Sequence, residues 1–441
     1  MNRAISHLTD GMLHRIGNAS LRRSIGKLTE ISATRLATSL SGISVGEVCL
    51  LRNPHSGAEL KAQAVSVVEG QAILAPIGTV DGLGPDTEVI ATGKPFQFAA
   101  GDFLLGRVLD GLGTPIDGPM PEVSGALWRR AECETPNPLD RPLIDDIFET
   151  GVRVIDGMLT LGEGQRIGVF GDPGGGKSTL LGSLARNSRA DVCILGLIGE
   201  RGREVREFMD RQLPPDFRER CVVVVATADR PAMERMLAAH TAVSLAAYFR
   251  ERGQKVLLLL DSLTRFARAL REVGLAAGEQ PVRRGFTPSV YAELPRLIER
   301  CGRTNAGPMT AIYTVLTEND GVGDPIGEEV MSLTDGHITL SGKLGQSGHY
   351  PAVDVLRSKS RLFSELSSPQ HAAAASKARA LLAKYQEIEL LIQVGEYKAG
   401  GDALADEAVR KRDQLNAFLR QDSHSRSGFN ETLEALMALA K

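Results

Sequence analysis

The sequence predicts an α/β protein with a parallel sheet at its centre, a small all-β module before it and a helical region after it. Between about residues 25 and 98, short apolar runs alternate with Gly, Pro and Asn turns, which is typical of a small all-β module. From about residue 148 to 356, strand-like runs alternate with helical patterns, as in βαβ units. Beyond residue 362, Ala, Leu, Glu and Lys dominate, which favours helices.

Composition narrows the class of protein. A chain of 441 residues is long enough for two or three domains. Its 42% hydrophobic and 24% charged residues indicate a soluble globular protein, and a net charge of −3 predicts no nucleic-acid partner. Five cysteines without a C-x-x-C pair predict reduced, mostly buried thiols. No apolar run is long enough for a membrane span or a signal peptide, so we expect a cytoplasmic protein.

Four segments are predicted along the chain. Residues 1–20 carry apolar side chains at helical intervals beside several arginines, which predicts an amphipathic basic segment. Two interpretations stay open for it: docking on a partner or a membrane surface, or a terminal helix that is packed on its own protein or frayed in solvent. Residues 21–98 form the all-β module, residues 99–361 the α/β core and residues 362–441 the helical domain. A Gly- and Pro-rich connector of ordered turns starts at about Gly101.

The hydrophobic pattern predicts individual elements. The predicted strands of the all-β module are residues 47–51, 61–68 and 71–75. The predicted core strands are residues 166–170, 192–198, 222–226, 256–260, 310–315 and 336–340. The predicted helical segments of the last domain are residues 371–382, 386–394, 403–419 and 431–440.

Residues 171–178 fit the phosphate-binding loop pattern G-x-x-x-x-G-K-[ST], directly after a strand-like run and before a helical one. Backbone N–H groups of such a loop surround a polyphosphate, while Lys177 reaches its terminal phosphates and the Ser178 hydroxyl is placed to ligate Mg²⁺. The pattern therefore predicts ATP and Mg²⁺ as ligands. The predicted nucleotide-binding residues here are Gly171, Asp172, Pro173, Gly174, Gly175, Gly176, Lys177, Ser178 and Thr179.

Two carboxylates follow predicted strands and supply candidates for the chemistry. Asp261 ends the run at residues 256–260, which places it at the edge where open α/β sheets bind ligands; its expected role is to hold Mg²⁺ through water. Glu200 follows the run at residues 192–198 and is the candidate that polarises the attacking water. Taken alone, Glu200 could instead belong to a surface ion-pair cluster with Arg201, Arg203 and Glu204.

Further motifs carry a resemblance to a known family. The chain resembles the ATPases of type III protein secretion systems, which are relatives of the flagellar export ATPase and of the catalytic subunit of rotary ATP synthases. The resemblance covers about residues 25–366, and the first twenty residues and the helical tail match only in general character. The motifs are Gly-Glu-Arg-Gly-Arg-Glu-Val-Arg-Glu at residues 199–207, Asp-Ser-Leu-Thr-Arg-Phe-Ala-Arg at 261–268, Gly-Leu-Ala-Ala-Gly-Glu at 274–279, Arg-Arg-Gly-Phe-Thr-Pro-Ser at 283–289, Asp-Gly-His-Ile at 335–338 and Tyr-Pro-Ala-Val-Asp-Val-Leu-Arg-Ser at 350–358.

This resemblance implies a hexamer with ATP at its subunit interfaces, an N-terminal β-barrel, a RecA-like core and a helical C-terminal domain facing secretion substrates. It implies that Glu200 is the catalytic carboxylate and that Arg201 and Arg265 lie near the γ-phosphate. Arg361 would be an arginine finger that reaches the neighbouring subunit's nucleotide, with a surface ion pair as the alternative. Tyr350 would pack near the adenine, with a core tyrosine as the alternative.

The resemblance also implies partners: stator or regulator proteins, a central stalk, chaperone–effector complexes and a peripheral contact at the cytoplasmic face of the inner membrane. Residues 148–156 and the triple-glycine loop resemble the injectisome branch more than the flagellar branch. The alternatives are a flagellar export ATPase, a rotary ATPase subunit, a hexameric helicase and a non-catalytic nucleotide-binding subunit. Few cations accompany Phe96 and Phe98, which disfavours the helicase, and Glu200 disfavours the non-catalytic subunit.

Two departures from the family pattern occur. Gly-Asp-Pro at residues 171–173 replaces the small residues usual at the head of the loop, which puts the detailed fit around the phosphates in doubt. Residues 317–325 differ from the usual acidic loop, which affects a segment expected to move or to contact a central stalk.

Overall fold

A computed structural model of the chain describes residues 24–120, 126–172, 174–317 and 324–441. The predicted amphipathic segment at residues 1–20 and Pro173 of the phosphate-binding loop lie outside the described residues. The chain divides into two compact units. One contains the residues up to Phe96 with Ala276–Gly278, and the other contains Gln97–Leu275 and Glu279–Lys441. The predicted core and the predicted helical domain thus belong to one unit, and the boundaries drawn at residues 98 and 361 stay predictions.

The first unit contains a closed barrel in the strand order β1-β2-β5-β4-β3-β6. Its strands are antiparallel and enclose a core that includes Leu36, Leu51, Leu74 and Val89. The barrel confirms the predicted all-β module, and each of the three predicted strands lies within an observed one. The bounds are β1 Ile25–Ile31, β2 Leu36–Thr38, β3 Glu47–Arg52, β4 Glu59–Val68, β5 Gln71–Ile77 and β6 Glu88–Pro95.

The second unit is built on an eight-stranded sheet in the order β18-β17-β12-β16-β15-β13-β14-β8. Its strands pair in parallel except for β17 and β18, which are antiparallel. The six predicted core strands correspond to β12–β17 and are confirmed. The bounds in this unit are β7 Gln97–Ala100, β8 Val108–Asp110, β9 Leu127–Arg130, β10 Ile147–Phe148, β11 Leu161–Gly162, β12 Arg166–Gly171, β13 Val192–Glu200, β14 Cys221–Thr227, β15 Val256–Asp261, β16 Met309–Leu316, β17 Gly336–Leu340 and β18 Val353–Ser360.

One strand of this sheet comes from the predicted connector. Strand β8 pairs in parallel with β14 at the edge of the sheet, and Val108 lies opposite Val223. The predicted turns surround it, and short 3₁₀ helices form at Asp102–Leu104 and Pro138–Asp140. A strand of three residues is too short to show an alternating pattern, so only the tertiary pairing identifies it.

Helices cover the sheet and form the C-terminal region. Predicted segments 371–382 and 386–394 form one continuous helix, α11, because the residues between them, Ala383, Lys384 and Tyr385, include no helix breaker. Segment 403–419 coincides with α12, which is capped by the Asp402 side chain. The bounds are α1 Arg153–Met158, α2 Lys177–Asn187, α3 Gly202–Gln212, α4 Pro215–Arg218, α5 Ala232–Glu251, α6 Leu263–Ala276, α7 Pro288–Glu299, α8 Pro325–Leu333, α9 Gly342–Gln346, α10 Phe363–Leu366, α11 Pro369–Gln393, α12 Ala403–Leu419 and α13 Phe429–Ala440.

The carboxyl ends of four neighbouring strands, β12, β16, β15 and β13, meet at one edge of the sheet. Every residue of β13 and β15 is buried, so these strands fix the positions of whatever follows them. All five cysteines are unpaired and four of them are buried. Across the described ranges, no helix combines the length and the apolar character that crossing a membrane requires.

Candidate active site

The phosphate-binding loop leaves β12 at Gly171 and enters α2 at Lys177. Gly174 and Gly176 have φ values of 82° and 84°, in the left-handed region that side-chain-bearing residues rarely adopt. Gly176 is the N-cap of α2. Glycine at these positions therefore lets the backbone turn before the helix begins, which directs the free N–H groups of the helix N-terminus outward.

The Lys177 side chain is buried against its own loop, with 7% of its surface exposed. Its ammonium group donates hydrogen bonds to the carbonyl oxygens of Gly171 and Asp172, each at 2.6 Å. Burial lowers the pKa of Lys177, while the charges of Asp261, Asp172 and Glu200 act in the opposite direction. The loop thus holds a cation in place at the edge of the sheet.

Asp261 ends β15 and is 7% exposed. The Thr314 hydroxyl, on neighbouring strand β16, donates a hydrogen bond to its Oδ1 at 2.5 Å. Burial raises the pKa of Asp261, whereas the Thr314 hydrogen bond and the Lys177 charge lower it. The carboxylate therefore has a fixed orientation beside the ammonium of Lys177.

Glu200 ends β13 and is 9% exposed. Arg265 holds its carboxylate, with Nη2 3.1 Å from Oε2, and also donates a hydrogen bond to the Gly199 carbonyl. Burial, followed by the charge of Asp261, raises the pKa of Glu200 to about 8, and Arg265 opposes this shift. A carboxylate whose pKa lies near neutrality is suited to accept a proton.

One cleft brings most of the predicted residues together. Its wall includes Gly174, Gly176, Lys177, Ser178, Thr179, Glu200, Arg201, Asp261 and Arg265. Gly171, Asp172 and Gly175 belong to the same loop but do not line the cleft. Arg201 fits the interpretation as a surface ion pair, because its side chain is 80% exposed and lies 3.7 Å from Glu204. Glu200 does not fit it, because Glu200 is buried.

Tyr350 lies in a neighbouring groove that shares Gly176 and Thr179 with the cleft. Its ring contacts the loop, because a Cβ added to Gly176 would lie 3.4 Å from the Tyr350 ring. The side chain is 43% exposed, which excludes the core-tyrosine alternative. Val152, Leu180 and Pro351 give the groove an apolar wall, as a stacked base requires.

Arg361 does not line either space. It directly follows β18, is exposed, and donates a hydrogen bond to the Met331 carbonyl at 3.2 Å. Within the described part of the chain, the cleft is therefore built without this guanidinium. The alternative for Arg361 was a surface ion pair. Arg361 belongs to none of the ion pairs among the described residues.

Sequence reasoning missed two contributions to the site. Thr314 could have been noticed as a hydroxyl in a strand that is otherwise mostly apolar, but only the sheet order places it beside Asp261. Gln421, Asp422 and Ser423 line the groove from the segment between α12 and α13. No local pattern indicates that this distant segment returns to the phosphate-binding loop.

Fold and loop together define a RecA-like P-loop nucleoside triphosphatase, and three family models agree in chain order. Residues 37–93 match the ATP synthase alpha/beta family, beta-barrel domain, and residues 151–360 match its nucleotide-binding domain. Residues 367–438 match the T3SS EscN ATPase C-terminal domain. The chain belongs to the type 3 secretion system ATPases, and it is an ATPase.

Individual relatives are similar to the chain over most of its length. The Type 3 secretion system ATPase of Xanthomonas euvesicatoria is 48% identical over 424 residues, which cover 96% of each chain. The Flagellum-specific ATP synthase of Bacillus subtilis is 43% identical over 415 residues, 94% of each chain. The assembled ATPase EscN of enteropathogenic E. coli is 43% identical, with a TM-score of 0.90 over 94% of this chain and all of that chain. EscN in complex with its central stalk EscO gives a TM-score of 0.87 over the same shares.

Replacing Gly176 by Ala should destabilise the nucleotide-free protein, because its φ of 84° lies in the left-handed region. We expect the free energy of unfolding to fall by about 1–2 kcal/mol, measured by denaturant titration. Gly202→Ala is the matched control, because Gly202 has open space around its Cβ position and begins α3. Its free energy of unfolding should stay the same or rise by up to about 1 kcal/mol. Equal losses in both variants would contradict the assigned loop geometry.

Proposed function

We propose that this protein is the ATP-hydrolysing motor of a type III protein secretion apparatus, and that it couples hydrolysis to chaperone release and unfolding of exported proteins. The carrying observation is the buried Glu200 carboxylate, held by Arg265 in the cleft that the phosphate-binding loop opens. A subunit that only binds nucleotide has no need of such a base. Membership of the type 3 secretion system ATPases supports protein secretion as the cellular process.

The oxygen donors in the cleft fit Mg²⁺. The ion is usually bound by one or two protein oxygens and substrate phosphates rather than by a protein cage. The exposed Ser178 hydroxyl, at the start of α2, would ligate it, and Asp261 would hold it through water. When bound, Mg²⁺ neutralises charge on the phosphate oxygens.

Each side chain has a distinct task in hydrolysis. Lys177 would exchange its loop carbonyls for the terminal phosphate oxygens of ATP. Glu200 orients the attacking water and accepts its proton, and Arg265 holds that carboxylate while remaining near the γ-phosphate. Arg201, exposed at the same wall, adds positive charge. Tyr350 packs against the adenine.

Arg361 acts on the neighbouring subunit in this proposal. The guanidinium lies outside the cleft of its own chain, so it can complete a site only across an interface. An arginine supplied in this way stabilises the charge of the transition state and raises kcat by a factor of about 10³ or more. Hydrolysis would therefore require a closed ring, which we propose to be a homo-hexamer. The assembled form of EscN supports an oligomer.

The partners follow from the family. The complex of EscN with its central stalk EscO supports a stalk partner for this protein. We further propose contacts with a stator or regulator protein, with chaperone–effector complexes and peripherally with the membrane, so that the motor works at the cytoplasmic face of the inner membrane. A nucleic-acid partner does not fit the net charge of −3.

Glu200→Gln should abolish turnover and leave nucleotide binding intact, because an amide cannot accept the proton from water. We expect phosphate release to fall by about 10²–10⁴-fold at equal oligomer concentration, with the Kd for ATP changed by less than about threefold. Glu219→Gln, at an exposed glutamate outside the cleft, is the control and should keep full activity. Equal phosphate release by Glu200→Gln and the unchanged protein would show that Glu200 is not the catalytic base.

Mixing two inactive variants tests whether Arg361 acts in trans. Lys177→Ala disables the loop and Arg361→Ala removes the finger, so each variant alone should be inactive. In randomly mixed rings, about one interface in four combines an intact loop with an intact arginine, and about a quarter of the unchanged activity should return. Mixing Lys177→Ala with Glu200→Gln is the control, because both changes affect the same side of the interface. Assembled mixed rings without recovery would contradict the role in trans.

A further inference from the structure

The segment between α12 and α13, residues 420–428, forms one wall of the groove that contains Tyr350. Gln421, Asp422 and Ser423 of this segment line the groove opposite the phosphate-binding loop. This wall of the groove therefore comes from a part of the chain about 240 residues beyond α2, the helix that follows the loop. The groove can accept a nucleobase without rearrangement only if this wall is held in position.

Gln421 makes hydrogen bonds to three separate segments. Its backbone N–H donates to the Tyr350 carbonyl at 2.9 Å. Its Nε2 donates to the carbonyls of Gly151 and Ser425, both at 2.9 Å, and its Oε1 accepts from the backbone N–H of Arg153 at 2.7 Å. The residue is 8% exposed, so its amide is buried with both ends satisfied.

The same segment is attached to the helix that follows the phosphate-binding loop. The Ser423 carbonyl accepts hydrogen bonds from Ser183 Oγ at 2.8 Å and from Arg186 at 2.6 Å. Asn187 Nδ2 donates to the Ser425 carbonyl at 3.0 Å. These bonds hold the far part of the segment on α2, and Gln421 is the residue that also connects it to Tyr350.

Removing the Gln421 amide would affect the base side of the site alone. The N–H of Arg153 would lose its acceptor, and the carbonyls of Gly151 and Ser425 would lose a donor. The segment would then lose its side-chain attachment to the start of α1, and the backbone N–H of Gln421 would no longer be held in position against the Tyr350 carbonyl. Gln421 makes no hydrogen bond to Lys177, Glu200 or Asp261, which form the triphosphate side.

We propose that Gln421 is a positioning residue that holds Tyr350 and residues 420–428 in place, so that the Tyr350 ring is positioned to stack on a purine base. Its side-chain amide anchors the segment to Gly151 and Arg153 at the start of α1, which holds its backbone N–H against the Tyr350 carbonyl, and it does not itself contact the reacting atoms. This inference rests on the proposed function, since it assumes that ATP occupies the cleft and the groove. Loss of the Gln421 side chain should therefore weaken the affinity for the base and leave the rate of the chemical step unchanged.

Steady-state ATP hydrolysis by the assembled full-length protein tests the proposal. Gln421→Ala should raise KM for ATP about tenfold and change kcat by less than about twofold. Inorganic tripolyphosphate, which has no base, serves as a competitive inhibitor, and its inhibition constant should stay within about twofold. Gln414→Ala is the matched control, because Gln414 is exposed on α12 and does not line the groove. It should leave KM and kcat unchanged.

A double-mutant cycle separates positioning of Tyr350 from general loosening of the fold. Tyr350→Ala should raise KM by itself, and adding Gln421→Ala should raise KM by less than about twofold more, because the positioned ring is already absent. If Gln421→Ala does not fold, Gln421→Glu replaces it in the same measurements of KM, kcat and the tripolyphosphate inhibition constant. The glutamate keeps an acceptor for Arg153 and loses both donated hydrogen bonds, so its KM should also rise.

Three results would overturn the proposal: an unchanged KM in the Gln421 variants, an equal rise in KM and in the tripolyphosphate inhibition constant, or additive effects with Tyr350→Ala. The first means that the groove does not depend on Gln421, and the other two mean that the residue only stabilises the fold. Failure of the proposed function is distinguishable, because the unchanged protein would then hydrolyse no ATP. In that case Glu200→Gln would also behave like the unchanged protein.

Discussion

The buried ionisable groups of Lys177, Glu200 and Asp261 at one edge of the sheet are the constraint on which the rest of the structure depends. Burying unpaired charges costs several kcal/mol each, so such a group persists only if every member has partners. Here Lys177 donates hydrogen bonds to the loop carbonyls and Thr314 donates one to Asp261. Arg265 forms an ion pair with Glu200. The residual cost appears as a raised pKa of Glu200.

The sheet order explains how four strands deliver this group. Strands β12, β16, β15 and β13 are consecutive neighbours and supply, in turn, the phosphate-binding loop, Thr314, Asp261 and Glu200. The base side is built differently, from Tyr350 and from a segment between two C-terminal helices. Hydrogen bonds from α2 and Gln421 join the two sides. These bonds attach the segment between α12 and α13 both to the helix that follows the phosphate-binding loop and to the start of α1.

Local patterns were enough to predict most of the fold and the triphosphate side of the site. The loop motif lies in eight consecutive residues, and Asp261 and Glu200 each follow an apolar run, so short-range information identifies them. Strand β8, Thr314 and Gln421 were not predicted, because their partners are distant in sequence: β8 pairs with β14, and Gln421 bonds a residue 270 positions away. The role of Arg361 came from the family resemblance, since no property of a single chain brings it to a nucleotide.

The most direct test of the buried charge group is the pH dependence of kcat/KM for magnesium ATP, which reports ionisations of the free enzyme. Glu200 must be ionised to accept a proton, and burial beside Asp261 raises its pKa to about 8. We therefore predict that kcat/KM rises about tenfold per pH unit between about pH 6 and 7.5 and levels off above about pH 8. A value of kcat/KM that is constant over this interval would show that Glu200 ionises as an ordinary exposed carboxyl, and it would contradict the account.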